Sequence, residues 1–314
     1  MMPSNQIQPL LESAALAQLA DRAFLRITGS DATRWLNGMV TNSIQAMQPG
    51  EGSYNFLLNA QGRIMGDAYI YREHSEPITY LLATSSAQVE AIRSLLDKFI
   101  IMDDVELADA ALEQTSLLLS GPEAAVALQR AGLPAVGPLR LALADTAHGP
   151  VLLTTTQAAG TFELRAEAAT IAALQAALAL PELSSAALEA FRVFTGTPLY
   201  GTDIRNTDTA KDLPQETNQP HALHFSKGCY LGQEIVERIR SRGQVHKLFT
   251  KFELTGALPE QLPAPLESEG KPAGELTSAT QIGDKLYALG YARREFLELK
   301  KPITYSGGTA TPRL

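Results

Sequence analysis

The chain changes texture at Gly243, and that change constrains its fold more than any other feature. Before it, runs with strand alternation are followed again and again by runs with helix spacing. Residues 23–28, AFLRIT, alternate as a strand. GSDATRWLNGMVTN then supplies a turn, an N-cap at Ser30 or Asp31, and a short helix with Trp35, Leu36 and Met39 on one side. The pattern recurs in ITYLLATSSAQVEAIRSLLDKFI, with Ser85 and Gln88 as a capping box and Val89, Ile92, Leu96 and Phe99 as the buried stripe. It returns in SLLLSGPEAAVALQRAGL, where Pro122 suits the first helical turn, and in TFELRAEAATIAALQAALAL. GSYNFLLNAQGRIMGDAYIYRE reads as a hairpin around Asn59–Gly62, with Gly62 at positive φ and Asp67 in the second strand. After Gly243, short apolar runs (KLFTKFEL, DKLYALGYA, PITYS) are punctuated by Pro259, Pro263, Pro265, Gly270 and Gly283. That predicts a small all-β barrel or sandwich over 244–314, after α+β units over 1–243.

A chain of 314 residues is too long for one ordinary core, which agrees with more than one domain. Net charge of −8 and a pI near 5.2 argue against general affinity for nucleic acid or acidic membranes. No apolar run approaches the ~18 residues of a membrane span. The amino-terminal stretch has no basic residue before Arg22, unlike a secretory signal or an Arg-rich presequence, so a cytoplasmic protein is expected. Loops of the type G-x-x-x-x-G-K-[ST], H-E-x-x-H and G-x-S-x-G are absent, and GEGSYN lacks the third glycine of a dinucleotide fingerprint.

The only cysteine, Cys229, lies in KGCYLGQEIVERIRSRG. It can form no internal disulfide. Gly232 suits an N-cap, Glu234 and Glu237 the first turns, Arg238, Arg240 and Arg242 the far end, and Gly243 the stop, so a short helix is predicted directly after the thiol. A thiol before a helix N-terminus and beside Lys227 is placed for ionisation, but a lone cysteine is also a common small core residue. Spacing leaves both readings open. From 227 to 251 six Lys or Arg stand against two Glu, a formal +4 that would attract a carboxylate, a phosphate or an acidic partner, unless it is only a solvated face of Glu–Arg pairs. His221 and His224 with Cys229 lack a fourth ligand for a metal, and none is expected. Asp67 suits either a ligand or an ion pair with Arg63.

KGCYLGQE resembles the signature of the folate-binding YgfZ family, relatives of the glycine-cleavage aminomethyltransferase (T-protein) that assist iron–sulfur cluster assembly or repair. ITGSDATRWLNGMVTNSI, LLNAQGRIMGDAYIY, FRVFTGTPLYGTDI and DLPQETNQPHALHFSKGCYLGQEIVERIRSRGQVHKLF match in the same order. The resemblance implies a T-protein-like cloverleaf of two interleaved α+β domains plus a small C-terminal β-barrel around a tetrahydrofolate pocket. It makes Lys227, Cys229, Tyr230, Gln233 and Glu234 signature residues and sets Asp67 where T-protein has its catalytic aspartate. Phe194 stands where T-protein has a glutamate that holds the pterin edge, so direct pterin recognition there is altered.

The expectation is therefore a tetrahydrofolate-binding accessory protein for iron–sulfur enzymes or their assembly proteins. Cys229 would be its functional thiol, Lys227 and Asp67 would assist, and Phe194, Tyr230, Gln233, Glu234, Arg238 and Arg240 would lie at the folate site. The alternatives are a folate-dependent aminomethyltransferase and a thiol redox enzyme needing an external resolving thiol.

Overall fold

A computed structural model describes residues 6–110 and 114–313, apart from the side chain of Arg242. In chain order the elements are α1 (Gln8–Glu12), β1 (Ala15–Leu19), β2 (Ala23–Thr28), α2 (Ala32–Met39), β3 (Gly52–Leu58), β4 (Ile64–His74), β5 (Thr79–Thr84), α3 (Val89–Asp97) and β6 (Glu106–Asp109). There follow β7 (Gln114–Ser120), α4 (Ala124–Arg130), β8 (Leu141–Thr146), β9 (Gly149–Thr155), β10 (Thr161–Glu167), α5 (Ala168–Leu178), α6 (Ser185–Thr195) and α7 (Gln233–Arg242). The last part holds β11 (Lys247–Gly256), β12 (Ala264–Ser268), β13 (Lys271–Ile282), β14 (Lys285–Arg293), α8 (Arg294–Glu298), β15 (Thr304–Tyr305) and β16 (Gly308–Arg313).

These strands form two five-stranded antiparallel sheets and a closed barrel. The first sheet runs β3-β4-β5-β2-β6, the second β1-β7-β10-β9-β8, and the barrel β11-β14-β13-β12-β15-β16. The two sheets are interleaved in sequence: β1 pairs with β7, and the whole first sheet is inserted between them. Barrel closure by pairing of β11 with β16 leaves no free edge, which suits a region too short for a large core.

Each unit buries its own apolar cluster. Leu25, Ile27, Trp35, Leu36, Ile70, Leu82, Ile92 and Leu96 fill the space between the first sheet and helices α2 and α3. Leu16, Leu117, Leu119, Leu153, Phe162, Leu164, Ile171 and Leu174 do so for the second sheet and helices α4 and α5. The first sheet is also covered on its other face, because Tyr54, Phe56 and Leu58 of β3 pack with Ile204, Tyr230 and Val236. Alternation in β3 therefore feeds two clusters at once.

Several local expectations change. Gln88 makes no capping box, because its side chain turns inward to Asp67, and α3 begins without a side-chain cap. Phe99 lies beyond the end of α3 and is 38% exposed, so the buried stripe ends at Leu96. Pro122 precedes the N-cap residue Glu123 and lies in the turn before α4. The N-cap of α2 is Asp31, and α7 spans the predicted residues between Gly232 and Gly243.

Between the sheets and the barrel lies a buried ionic lock. Asp203, fully buried, accepts from Arg192 Nη1 at 2.5 Å, Ser278 Oγ at 2.7 Å, the Leu199 amide at 3.0 Å and Thr277 Oγ1 at 2.5 Å. The carboxylate thus ties α6 and the following loop to β13 with its acceptor capacity filled, the condition under which a buried charge is tolerated.

Candidate functional site

Asp67 sits on the inner face of the β3–β4 hairpin. The register sets it opposite Phe56 and sets Tyr54 opposite Tyr69, so all four side chains share the face turned away from α2 and α3. Tyr54 donates to Asp67 Oδ2 at 2.6 Å, and Gln88 Nε2 donates to Oδ1 at 2.7 Å. The Asp67 amide donates back to Gln88 Oε1 at 3.1 Å, and Thr84 Oγ1 donates to the Asp67 carbonyl at 2.8 Å. These bonds replace the β4–β5 ladder, which begins only at Tyr69.

Burial raises the Asp67 carboxyl above its ordinary range, while the bonds from Tyr54 and Gln88 and the charge of Arg22 pull the other way. Burial also raises Tyr54, with the Asp67 charge adding to it. Tyr200 is pushed up to about 12 by burial and then by Asp67. Asp67 therefore lies among the phenols of Tyr54, Tyr69 and Tyr200. Arg22 itself is held by Glu163 of the second sheet through Nη2 at 2.7 Å and Nε at 3.1 Å, which fixes the two sheets beside the carboxylate. Arg63 makes no pair with Asp67, for its guanidinium donates to the Lys211 carbonyl instead.

The thiol loop is seated on the tip of this hairpin. Gly62 and Gly232 are both at positive φ, +70° and +81°, and their backbones touch. A Cβ at Gly62 would meet Ile235 Cβ at 2.8 Å, and one at Gly232 would overlap the Asn59 carbonyl oxygen. Only glycine allows that approach. The other side of the loop is stitched to residues 38–42: the Leu231 amide donates to the Gly38 carbonyl, the His224 amide to the Thr41 carbonyl, and Thr41 Oγ1 to the Ala222 carbonyl.

Lys227 Nζ donates to the carbonyls of Val40 and Asn42, both at 2.6 Å, and lies 5.0 Å from the Tyr230 ring centroid. Burial draws this amine down to about 7. Its bonds make Lys227 the anchor of the loop. Cys229 is exposed, which removes the reading of it as a small core residue. Tyr230 is buried in the cluster under the hairpin, and Gln233 Oε1 accepts from the Tyr230 amide at 3.2 Å.

The remaining sequence candidates lie elsewhere on the surface or the barrel. Glu234 pairs with Arg238 at 2.8 Å on the exposed side of α7, and Arg240 lies over the Phe225 ring at 4.5 Å. Phe194 packs edge-on against Tyr287 of the barrel, with Arg313 above its ring. It belongs to a different cluster from Tyr54 and Tyr230. His221 lies 5.5 Å from Tyr54, and among the described residues no group of His, Cys, Asp or Glu is arranged to hold a metal. No described helix is long and apolar enough to cross a membrane.

Sequence reasoning missed Gln88, Tyr54, Tyr200 and Tyr291. Tyr291 of β14 has a buried hydroxyl without a hydrogen-bond partner, and it interacts electrostatically with Tyr54. The alternation of β3 could have identified Tyr54. The others lie too far from Asp67 in sequence for spacing to show.

Two interleaved α+β sheets, a closed barrel and a partly buried aspartate on the inner hairpin define an aminomethyltransferase-like protein. The model of the GCVT N-terminal domain matches residues 6–216, and the chain belongs to that family. It is 25% identical to the iron-sulfur cluster assembly factor IBA57 homolog of Mycosarcoma maydis, over 84% of this chain and 67% of that one. It is 26% identical to human iron-sulfur cluster assembly factor IBA57, over 78% and 68%. With the aminomethyltransferase of Synechocystis sp. identity is 24%, over 94% and 82%. The crystal structure of glycine cleavage system aminomethyltransferase T from Bartonella henselae superposes with a TM-score of 0.81, covering 98% of this chain and 86% of that one at 20% identity. The expected T-protein-like fold and kinship with T-protein and iron–sulfur assembly factors are thereby borne out.

Proposed function

We propose that this protein is a tetrahydrofolate-binding accessory factor for assembly or repair of iron–sulfur enzymes, with Cys229 as its working thiol. The observation that carries the reading is the seating of an exposed thiol loop on the same hairpin that carries Asp67. Relatives named as iron–sulfur cluster assembly factors, matched over most of this chain, support the cellular role.

The residues around Asp67 have the chemistry a folate needs. Half-buried Tyr69 and Tyr200 offer ring faces, Asp67 keeps lone pairs beyond those that Tyr54 and Gln88 occupy, and the Tyr291 hydroxyl is buried without a partner. These residues would hold the pterin, and the folate would supply one-carbon carrying capacity. Gln88 and Tyr54 orient the Asp67 carboxylate, and Lys227 fixes the loop that presents Cys229. The thiol would exchange with a partner thiol or touch cluster iron, in the cytoplasm.

Calorimetric titration with tetrahydrofolate tests the pocket: the parent and Cys229→Ala should bind alike, while Asp67→Ala should bind at least about tenfold more weakly. In cells, activity of iron–sulfur enzymes should fall with Cys229→Ala. Absence of folate binding by the parent would sink the folate reading, and full enzyme activity with Cys229→Ala would sink the thiol reading.

A second reading, aminomethyl transfer onto folate, is favoured by the raised carboxyl of Asp67 and by the relatives named aminomethyltransferase. Turnover of an aminomethyl donor by purified protein, lost in Asp67→Asn, would establish it. No turnover would leave the accessory role.

A further inference from the structure

A groove beside the barrel is lined by neither Asp67 and its hydrogen-bond partners nor the thiol loop. It has a volume of about 1150 Å³ and runs between the end of α6, strands β11 and β16 and the segment after α8. Its floor is apolar: Leu248, Leu297 and Pro312 are half-buried and Pro302 is exposed, while Phe249, Phe296 and Ile303 are already buried. Its charged lining consists of Lys251, Arg294, Lys300, Lys301 and Arg313 against a single carboxylate, Glu298. In a chain of net charge −8 this is a concentrated reversal of sign.

Two of the cations are accounted for, since Arg294 pairs with Glu298 at 2.7 Å and Lys301 with Glu269 at 2.8 Å. Among the described residues, Lys251, Lys300 and Arg313 have no carboxylate partner. Lys251 and Arg313 are moreover direct cross-strand neighbours in the β11–β16 ladder, so their side chains share one face. Like charges in that position repel, and although Arg313 lies over the Phe194 and Tyr287 rings and donates to the Phe194 carbonyl, neither cation of the pair has a counter-charge among the described residues. Gly196, at a φ of +89°, clears the space for the Lys251 side chain, because a Cβ there would overlap the Lys251 stem.

We propose that this groove is a docking site for an acidic peptide segment of a partner protein, with carboxylates on Lys251, Arg313 and Lys300 and apolar side chains on the floor. A compact anion would satisfy the Lys251–Arg313 pair but would leave Lys300, on a separate element, and the apolar floor uncovered. A chain alternating acidic and apolar residues uses all of them. The inference is independent of the folate and thiol reading.

The test uses the full chain and a short dye-labelled peptide in which leucine alternates with glutamate, followed by fluorescence anisotropy. Binding should weaken with salt, and replacing the glutamates by glutamine should abolish it. Lys251→Glu and Lys300→Glu should each weaken binding at least about tenfold, whereas Lys271→Glu, outside the groove, should leave it unchanged. Lys251→Glu should also raise the thermal midpoint of the free protein, since it gives Arg313 an opposite charge, so loss of binding cannot be ascribed to misfolding. Failure of the peptide to bind, equal binding of the glutamine peptide, or indifference to the charge reversals would overturn the proposal. So would binding of inorganic phosphate at the Lys251–Arg313 pair without binding of the peptide, which would make the groove a small-anion site.

Discussion

Gly228 and Gly232 offer a matched pair for measuring how firmly the thiol loop is held. Both are at positive φ, +89° and +81°, so alanine at either suffers the same left-handed strain of about 1–2 kcal/mol. Their surroundings differ. A Cβ at Gly228 meets nothing within 4 Å, whereas one at Gly232 overlaps the Asn59 carbonyl and comes within 3.0 Å of Leu58 Cβ. Neither neighbour is the free end of a flexible chain, so the hairpin and α7 must move apart, at about 1–3 kcal/mol more. Gly228→Ala should therefore cost about 1–2 kcal/mol and Gly232→Ala about 2–5 kcal/mol in urea unfolding. Only Gly232→Ala should speed hydrogen exchange at the Gly62 amide, which bonds to the Asn59 carbonyl. Equal costs, or an unchanged exchange rate in Gly232→Ala, would refute the claim that the loop is clamped to the hairpin tip.

Other perturbations probe the site and its frame. The folded-state pKa of Asp67 is raised, so between the unfolded value and the raised one the folded protein holds the extra proton, and stability falls as pH rises through that window. Asp67→Asn should flatten the fall of the thermal midpoint as pH rises above about 4, and superimposable profiles would contradict the burial argument. Lys227 is lowered to about 7, so the unfolded chain binds more protons above that pH and stability should rise toward about pH 10. Lys227→Met should lose that rise in urea midpoints, and retention of it would point to another group. Asp203→Ala leaves Arg192 without its buried partner and should cost about 3–5 kcal/mol, read by urea unfolding, while a cost below about 1 kcal/mol would refute the lock.

What the sequence revealed was local. The turn at Gly62 and the limits of α7 follow from glycines whose φ values have one chemical explanation, and those positions match the structure. Alternation in β3 and β4 was equally legible, and it placed Asp67 in its strand. The errors arose where a distant group captured a side chain. Gln88 has the spacing of a capping residue, but Asp67, twenty-one residues away, takes its amide. The Asp203 lock joins residues 74 and 75 apart, and no periodicity records such a contact. Cys229 had two readings until the loop was seen to turn it outward.

Insertion of the first sheet between β1 and β7 has a consequence for synthesis on the ribosome. Strands β2 to β6 emerge together and can pair as soon as residue 109 is clear, because every partner lies within 23–109. Strand β1 leaves the ribosome earlier yet must wait for β7, and the sheet they share is not finished until β10 at residue 167. During that interval the hairpin with Asp67 is already built, while Glu163, which anchors Arg22 beside it, has not yet been translated. The aspartate is therefore made before the frame that holds it, and a pause in translation between the two strands would expose β1 as an unpaired edge.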